Sequence, residues 1–152
     1  MAFLLKTIRV EQVGDVLWQL LVPVIYLGRY GTYAVPSGYV TDFASVPRWL
    51  WWFTPQSGRW NGAAIVHDWL ITDGLGKGLI EITSAQIDAE FRQALRDCGV
   101  GFIRRWLMWA GVRWAAAFNP LRRPGWLLTL PLLLLVSALA LAPVAAVLLL
   151  VL

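Results

Sequence analysis

Apolar and polar positions change rhythm twice along the 152-residue chain. Residues 7–40 are rich in β-branched and aromatic residues, and turn formers interrupt them: Gly14-Asp15, Pro23, Gly28, Gly31, Pro36 and Gly38. The pattern predicts strands over 7–10, 16–22, 24–26 and 32–40, paired in a small antiparallel sheet. After Asp42 the period becomes helical. Ser45 can cap a short helix with Pro47 in its first turn, where a missing N–H does no harm. The run Trp49, Leu50, Trp51, Trp52, Phe53 is too aromatic for water and reads as core or as membrane-facing surface. Residues 61–72 are apolar all round, as in a buried helix, and Asp73-Gly74 ends them. Thr83 and Gln86 form a capping box for a helix over 84–98, with Ile87, Phe91, Ala94, Leu95 and Cys98 at helical spacing and Gly99 as its stop. A last amphipathic helix over 102–118 carries Ile103, Leu107, Ala110, Trp114 and Ala117 on one side, and Asn119-Pro120 closes it.

From Trp126 to the last residue given the polar rhythm disappears. These 27 residues would form a helix of about 40 Å, against a hydrocarbon core of about 30 Å. Pro131 and Pro143 are tolerated in lipid-spanning helices as kinks, and Trp126 suits the interface. The expected architecture is therefore α+β: a small N-terminal antiparallel sheet, then a helical bundle, plus one C-terminal transmembrane helix. Its units are a soluble domain over 1–120, a basic linker over 121–125 and the membrane helix over 126–152.

Charge sharpens this division. Every Lys, Arg, Asp and Glu lies at or before Arg123, and the net +4 belongs to that part. No Lys/Arg run exceeds two residues, so a negatively charged membrane surface, not nucleic acid, is the expected partner. Arg122 and Arg123 directly precede the apolar segment. The positive-inside rule then keeps the domain in the cytoplasm and sends the C-terminus across the membrane in a single pass. Residues 1–5 lack the basic start of a signal peptide. Cys98 is the single cysteine, which excludes an internal disulfide and a cysteine zinc cluster.

Candidate chemistry gathers on few residues. His67, the one histidine, is followed by Asp68 on the apolar helix. A charge buried there without a partner is costly, so the two must be paired, coordinated or catalytic. Asp42 sits at the sheet-to-helix junction, where a turn or cap is its plain role. Asp88 lies at the edge of an apolar face, one turn from Arg92 and in reach of an i,i+4 salt bridge. Glu90 reads as solvent-facing. Asp42, His67, Asp68 and Asp88 suit one divalent metal ion. His67 oriented by Asp88 equally suits a metal-free general base. Spacing alone leaves both open.

The stretches VPSGYVTDFASVPRW, AAIVHDWLI and AQIDAEFRQALRDCGV resemble a family of short phage and prophage proteins, the domain of unknown function numbered thirteen fifty-three. The resemblance spans residues 7–118 and falls on Asp42, Ser45, Pro47, His67, Asp68, Asp88 and Phe91. Ile71 departs from the Tyr more usual there. It implies a phage or prophage origin without an established activity; the apolar tail, outside the shared stretch, makes the host inner membrane the expected place. Two functions compete. One is a His/Asp-dependent, membrane-anchored hydrolase with His67, Asp68 and Asp88 as catalytic residues. Its layout is similar to secreted phospholipases A2, without their paired cysteines or calcium loop. The other is a non-enzymatic protein at the host membrane, serving assembly, lysis control or exclusion alongside a phage or host membrane protein, or a virion component.

Overall fold

The computed structural model describes residues 2–4, 7–43, 55 and 57–151. The helix expected from Ser45 and the aromatic run 49–53 lie outside the described residues. Among those described, six short strands come first: β1 (Ala2–Phe3), β2 (Val10–Gln12), β3 (Trp18–Leu20), β4 (Val24–Leu27), β5 (Thr32–Val35) and β6 (Val40–Thr41). Helices α1 (Asn61–Trp69), α2 (Ser84–Asp97), α3 (Phe102–Ala116) and α4 (Arg123–Val151) follow. The fold is α+β.

The strands pair antiparallel, in two sheets where one was expected: β1-β4-β5 and β2-β3-β6. Two breaks in the chain explain this. Pro23 has no N–H to donate and separates β3 from β4. The turn at Pro36–Gly38, with Gly38 at φ 84°, cuts the expected 32–40 strand into β5 and β6, which join different sheets. In the β4–β5 hairpin Val24 pairs with Val35 and Tyr26 with Tyr33, and all four side chains point into the core.

The α1 helix is buried along most of its length, as its sequence predicts. It does not stop at Asp73-Gly74 but widens into a π-helical turn over Leu70–Leu75. A side chain at Gly76 would collide with the Thr72 carbonyl oxygen, so the turn needs glycine there. The Thr83–Gln86 capping box forms as read, and Gly99, at φ 73°, follows the end of α2. These helices pack on the sheets through Tyr26, Tyr33, Ile65, Val66, Leu70, Ile87, Phe91 and Leu95.

The face of α3 is a correction. Ile103 and Trp114, expected inward, are exposed by 71% and 39%. The buried stripe keeps Ala110 from the expected side and is otherwise made of Trp109, Arg113 and Ala116. An arginine takes the centre of the stripe, which rotates the helix away from the expected side. Beyond α3, α4 begins at Arg123, and its first turns pack back on α2 and α3. Trp109, Ala110 and Leu133 make a second small core, flanked by Trp106, Trp126 and Val136. The stretch Arg123–Pro143 has mean hydropathy 2.2 and is long and apolar enough to cross a membrane.

Candidate functional site

The centre of the helical layer is one carboxylate. Asp88 is fully buried on α2 and is surrounded by donors from other elements. His67 Nε2 on α1 lies 2.7 Å from its Oδ1. Arg113 on α3 donates from Nη1 to Oδ2 at 2.7 Å. Arg122, just before α4, donates from Nη2 to Oδ1 and Oδ2 at 2.7 and 3.0 Å. Burial by itself would raise the Asp88 carboxyl. The hydrogen bond and charge of His67, the charge of Arg122 and the Arg113 hydrogen bond outweigh it and hold the carboxyl below the ordinary aspartate range. Asp88 is therefore ionised and has no proton to give, so the proton between it and His67 sits on Nε2.

Arg113 extends the cluster into α4. Its Nε donates to Thr129 Oγ1 at 2.9 Å, its Nη2 to the Gly125 carbonyl at 2.6 Å and its Nη1 to Ser84 Oγ at 3.3 Å. The close approach of α4 to α2 at this point depends on Gly125, whose added Cβ would stand 3.2 Å from the Ala85 nitrogen. Arg122 also donates to the Val112 carbonyl. One buried anion thus holds four helical segments together. The i,i+4 pair of Asp88 with Arg92 does not form: Arg92 lies over the Trp106 ring, 4.0 Å from its centroid. The fully buried guanidinium of Arg113 outcompetes it.

Asp68 follows a different path. It is half-buried and accepts from Tyr39 Oη at 2.8 Å, while Tyr39 also meets Thr72 Oγ1 at 3.1 Å. Burial raises its carboxyl, the Tyr39 hydrogen bond opposes that, and the nearby charge of Asp42 adds to the rise. Asp42 is partly exposed, and the next residue, Phe43, holds φ 63°, a strained value for a side chain of that size. The four sequence candidates thus fall into two pairs, His67 with Asp88 and Asp68 near Asp42. Among the described residues, no group of three or more His, Cys, Asp or Glu side chains is arranged to hold a metal ion.

Glu90 is a further correction. It is 1% exposed, and its Oε1 accepts from the Tyr30 backbone N–H at 2.6 Å and from Tyr33 Oη at 3.3 Å. The Gly28–Gly31 turn folds over it, and a Cβ at Gly28 would stand 2.6 Å from Oε1. Arg113 is the residue that sequence reasoning missed altogether, and Arg122 was read only as a topology signal. A signal for Arg113 existed: it shares helical spacing with Trp109 and Ala116 and so falls inside an apolar stripe.

His67 is 8% exposed, with its ring 4.5 Å from that of Phe91. A recess of about 350 Å³ is lined by Arg59, Trp60, Gly99, Val100, Gly101 and Arg104. A smaller one of about 160 Å³ lies between Tyr30 and Arg92. Neither includes His67, Asp68 or Asp88. The family model for proteins of unknown function, DUF1353, matches residues 18–112. No curated protein and no solved structure matches the chain.

Proposed function

We propose, for a chain that belongs to the DUF1353 family of proteins of unknown function, a non-enzymatic role at a membrane: a rigid α+β head fixed to an apolar helix. The observation that carries this reading is the direction of the Asp88 donors. His67, Arg113 and Arg122 all point inward to one carboxylate, and Arg113 ties it to Thr129 and Gly125 of α4. A catalytic dyad leaves its reactive nitrogen open to a substrate. Here the imidazole packs on Phe91 away from both recesses.

The cluster therefore serves as a joint. It transmits the position of α4 to the head, so a membrane that holds α4 also orients the head. The resemblance to phage and prophage proteins supports a host inner membrane, and Arg122 and Arg123 before the apolar segment support a head on its cytoplasmic side. Assembly, lysis control and exclusion are the tasks such a tether fits.

The test uses the full chain and its His67→Gln variant. Both should pellet with membranes. The variant should melt earlier, and neither should hydrolyse phospholipid or peptide substrates. A hydrolytic activity abolished in the variant at an unchanged melting temperature would overturn the reading in favour of a His/Asp-dependent hydrolase.

A further inference from the structure

We propose that α3 and the first half of α4 lie side by side along the surface of an anionic phospholipid bilayer, with one continuous apolar face in the lipid. This rests on the membrane-tether reading and adds how the lipid is engaged. The two helices are antiparallel neighbours: Arg113 meets Thr129, Trp109 and Ala110 pack with Leu133, and Trp106 and Val136 both pack against that cluster. Any depth assigned to α4 is therefore assigned to α3 as well.

The exposed side of α3 fits that depth. Ile103 and Phe118 are exposed by 71% and 84%, and Leu107, Gly111 and Trp114 continue the same side at helical spacing. Trp114 joins this stripe to α4, donating from Nε1 to Ser137 Oγ at 3.0 Å with its ring 5.9 Å from Trp126. On α4 the side away from the head exposes Leu127, Leu128, Leu134 and Leu135. Alone, α4 has no polar face. Docked on α3, it has a side packed on protein through Leu133 and a leucine side left for lipid.

Charge selects the orientation and the lipid. No acidic residue occurs after Asp97, while Arg104, Arg105 and Arg123 stand at the ends of the two helices. A perpendicular α4 entering at Arg123 would carry Arg104, level with about residue 138, roughly 20 Å into the hydrocarbon. Guanidinium groups at such depth are costly to insert. Lying flat keeps these arginines among the phosphates and buries the same apolar side chains.

The experiment uses the full chain with Cys98→Ser and, one at a time, Ile103→Cys, Phe118→Cys and Leu128→Cys, each carrying an environment-sensitive fluorophore. Vesicles of phosphatidylcholine with phosphatidylglycerol are floated with each protein, and depth is read by quenching from brominated lipids. All three labels should shift to the blue on binding and report similar, shallow depths. Flotation with labels 103 and 118 still in water overturns the proposal and leaves the tether intact. A label at 103 much deeper than one at 118 also overturns it, in favour of a perpendicular hairpin. Shielding already present without vesicles assigns the face to a second copy of the chain and overturns the lipid assignment. Absence of flotation removes the tether and this proposal together.

Discussion

His67 and Asp68 are neighbours in sequence, yet they belong to two environments with opposite electrostatics. His67 turns toward Asp88, whose single negative charge meets two guanidinium groups and an imidazole N–H. Asp68 turns toward Tyr39, meets no cation in a salt bridge among the described residues, and feels the like charge of Asp42. Burial acts on both carboxyls in the same direction. Only around Asp88 do positive partners outweigh it, so one carboxyl is held down and the other is pushed up. Adjacent acidic and basic letters in a sequence thus do not make one site. What decides is which helices each side chain meets, and a 100° turn of helix separates the two fates.

The sharpest way to break this contrast is to remove the anion. Asp88→Ala leaves Arg113 and Arg122 buried with no counter-charge and should cost about 3–5 kcal/mol. Urea titration of the full chain measures it, and a loss under 1 kcal/mol would mean that water already reaches the cluster. The pH dependence has a definite sign. A folded-state pKa below the unfolded value contributes stability above the ordinary aspartate pKa of about 3.9 and loses it as pH falls through the folded value. Wild type should therefore show an acid limb below about pH 3.9 that Asp88→Asn lacks.

His67→Gln comes next. Glutamine can still donate to Asp88 but loses the ring contact with Phe91. The expected loss is about 1–2 kcal/mol, seen as a lower melting temperature with membrane retention unchanged. An effect as large as that of Asp88→Ala would show that the imidazole, not the guanidinium pair, holds the cluster.

Much of this contrast was legible in the sequence, and part of it was hidden for a physical reason. Local signals survive translation into structure. Thr83 and Gln86 cap α2 as their spacing requires, Gly99 ends it, and an apolar α1 is buried. The cost of burying His67 without a partner pointed to some pairing, and Asp88 was one of the carboxylates that could supply it. Partner choice was the hidden part. Asp88 has Arg92 four residues on, and helix geometry offers that pair first. A more distant arginine, Arg113, wins because it brings several N–H donors into a dry space. Glu90 was misread similarly, since the turn that covers it comes from the sheet sixty residues earlier. Long-range packing also rotated α3, so that Ile103 and Trp114 face out while Ala110 of the same side stays buried.

On the Asp68 side the effects are smaller. Tyr39→Phe removes the hydroxyl that donates to Asp68 and meets Thr72. A half-buried hydrogen bond of this kind is worth about 1 kcal/mol, and denaturant unfolding should report that loss. A loss comparable to that of His67→Gln or greater would make the Tyr39–Asp68 contact an equal partner in holding α1.

Asp68→Asn should have the smallest effect at neutral pH, and its sign distinguishes the two carboxylates best. The asparagine oxygen can still accept from Tyr39, while the neutral amide removes both the burial penalty and the repulsion from Asp42. A carboxyl whose folded pKa is raised contributes its stability below the unfolded pKa and loses it as pH rises through the folded value. For Asp68 the cost therefore begins above about pH 3.9 and is complete once the folded group has ionised. Asp68→Asn should leave stability unchanged or increase it by up to about 1 kcal/mol at pH 7, and the difference from wild type should shrink as the pH is lowered toward 4. Unfolding curves across that range check it. Destabilisation by more than about 1 kcal/mol at pH 7 would mean that the ionised form is the one the fold requires, and that Asp68, like Asp88, is matched by a cation.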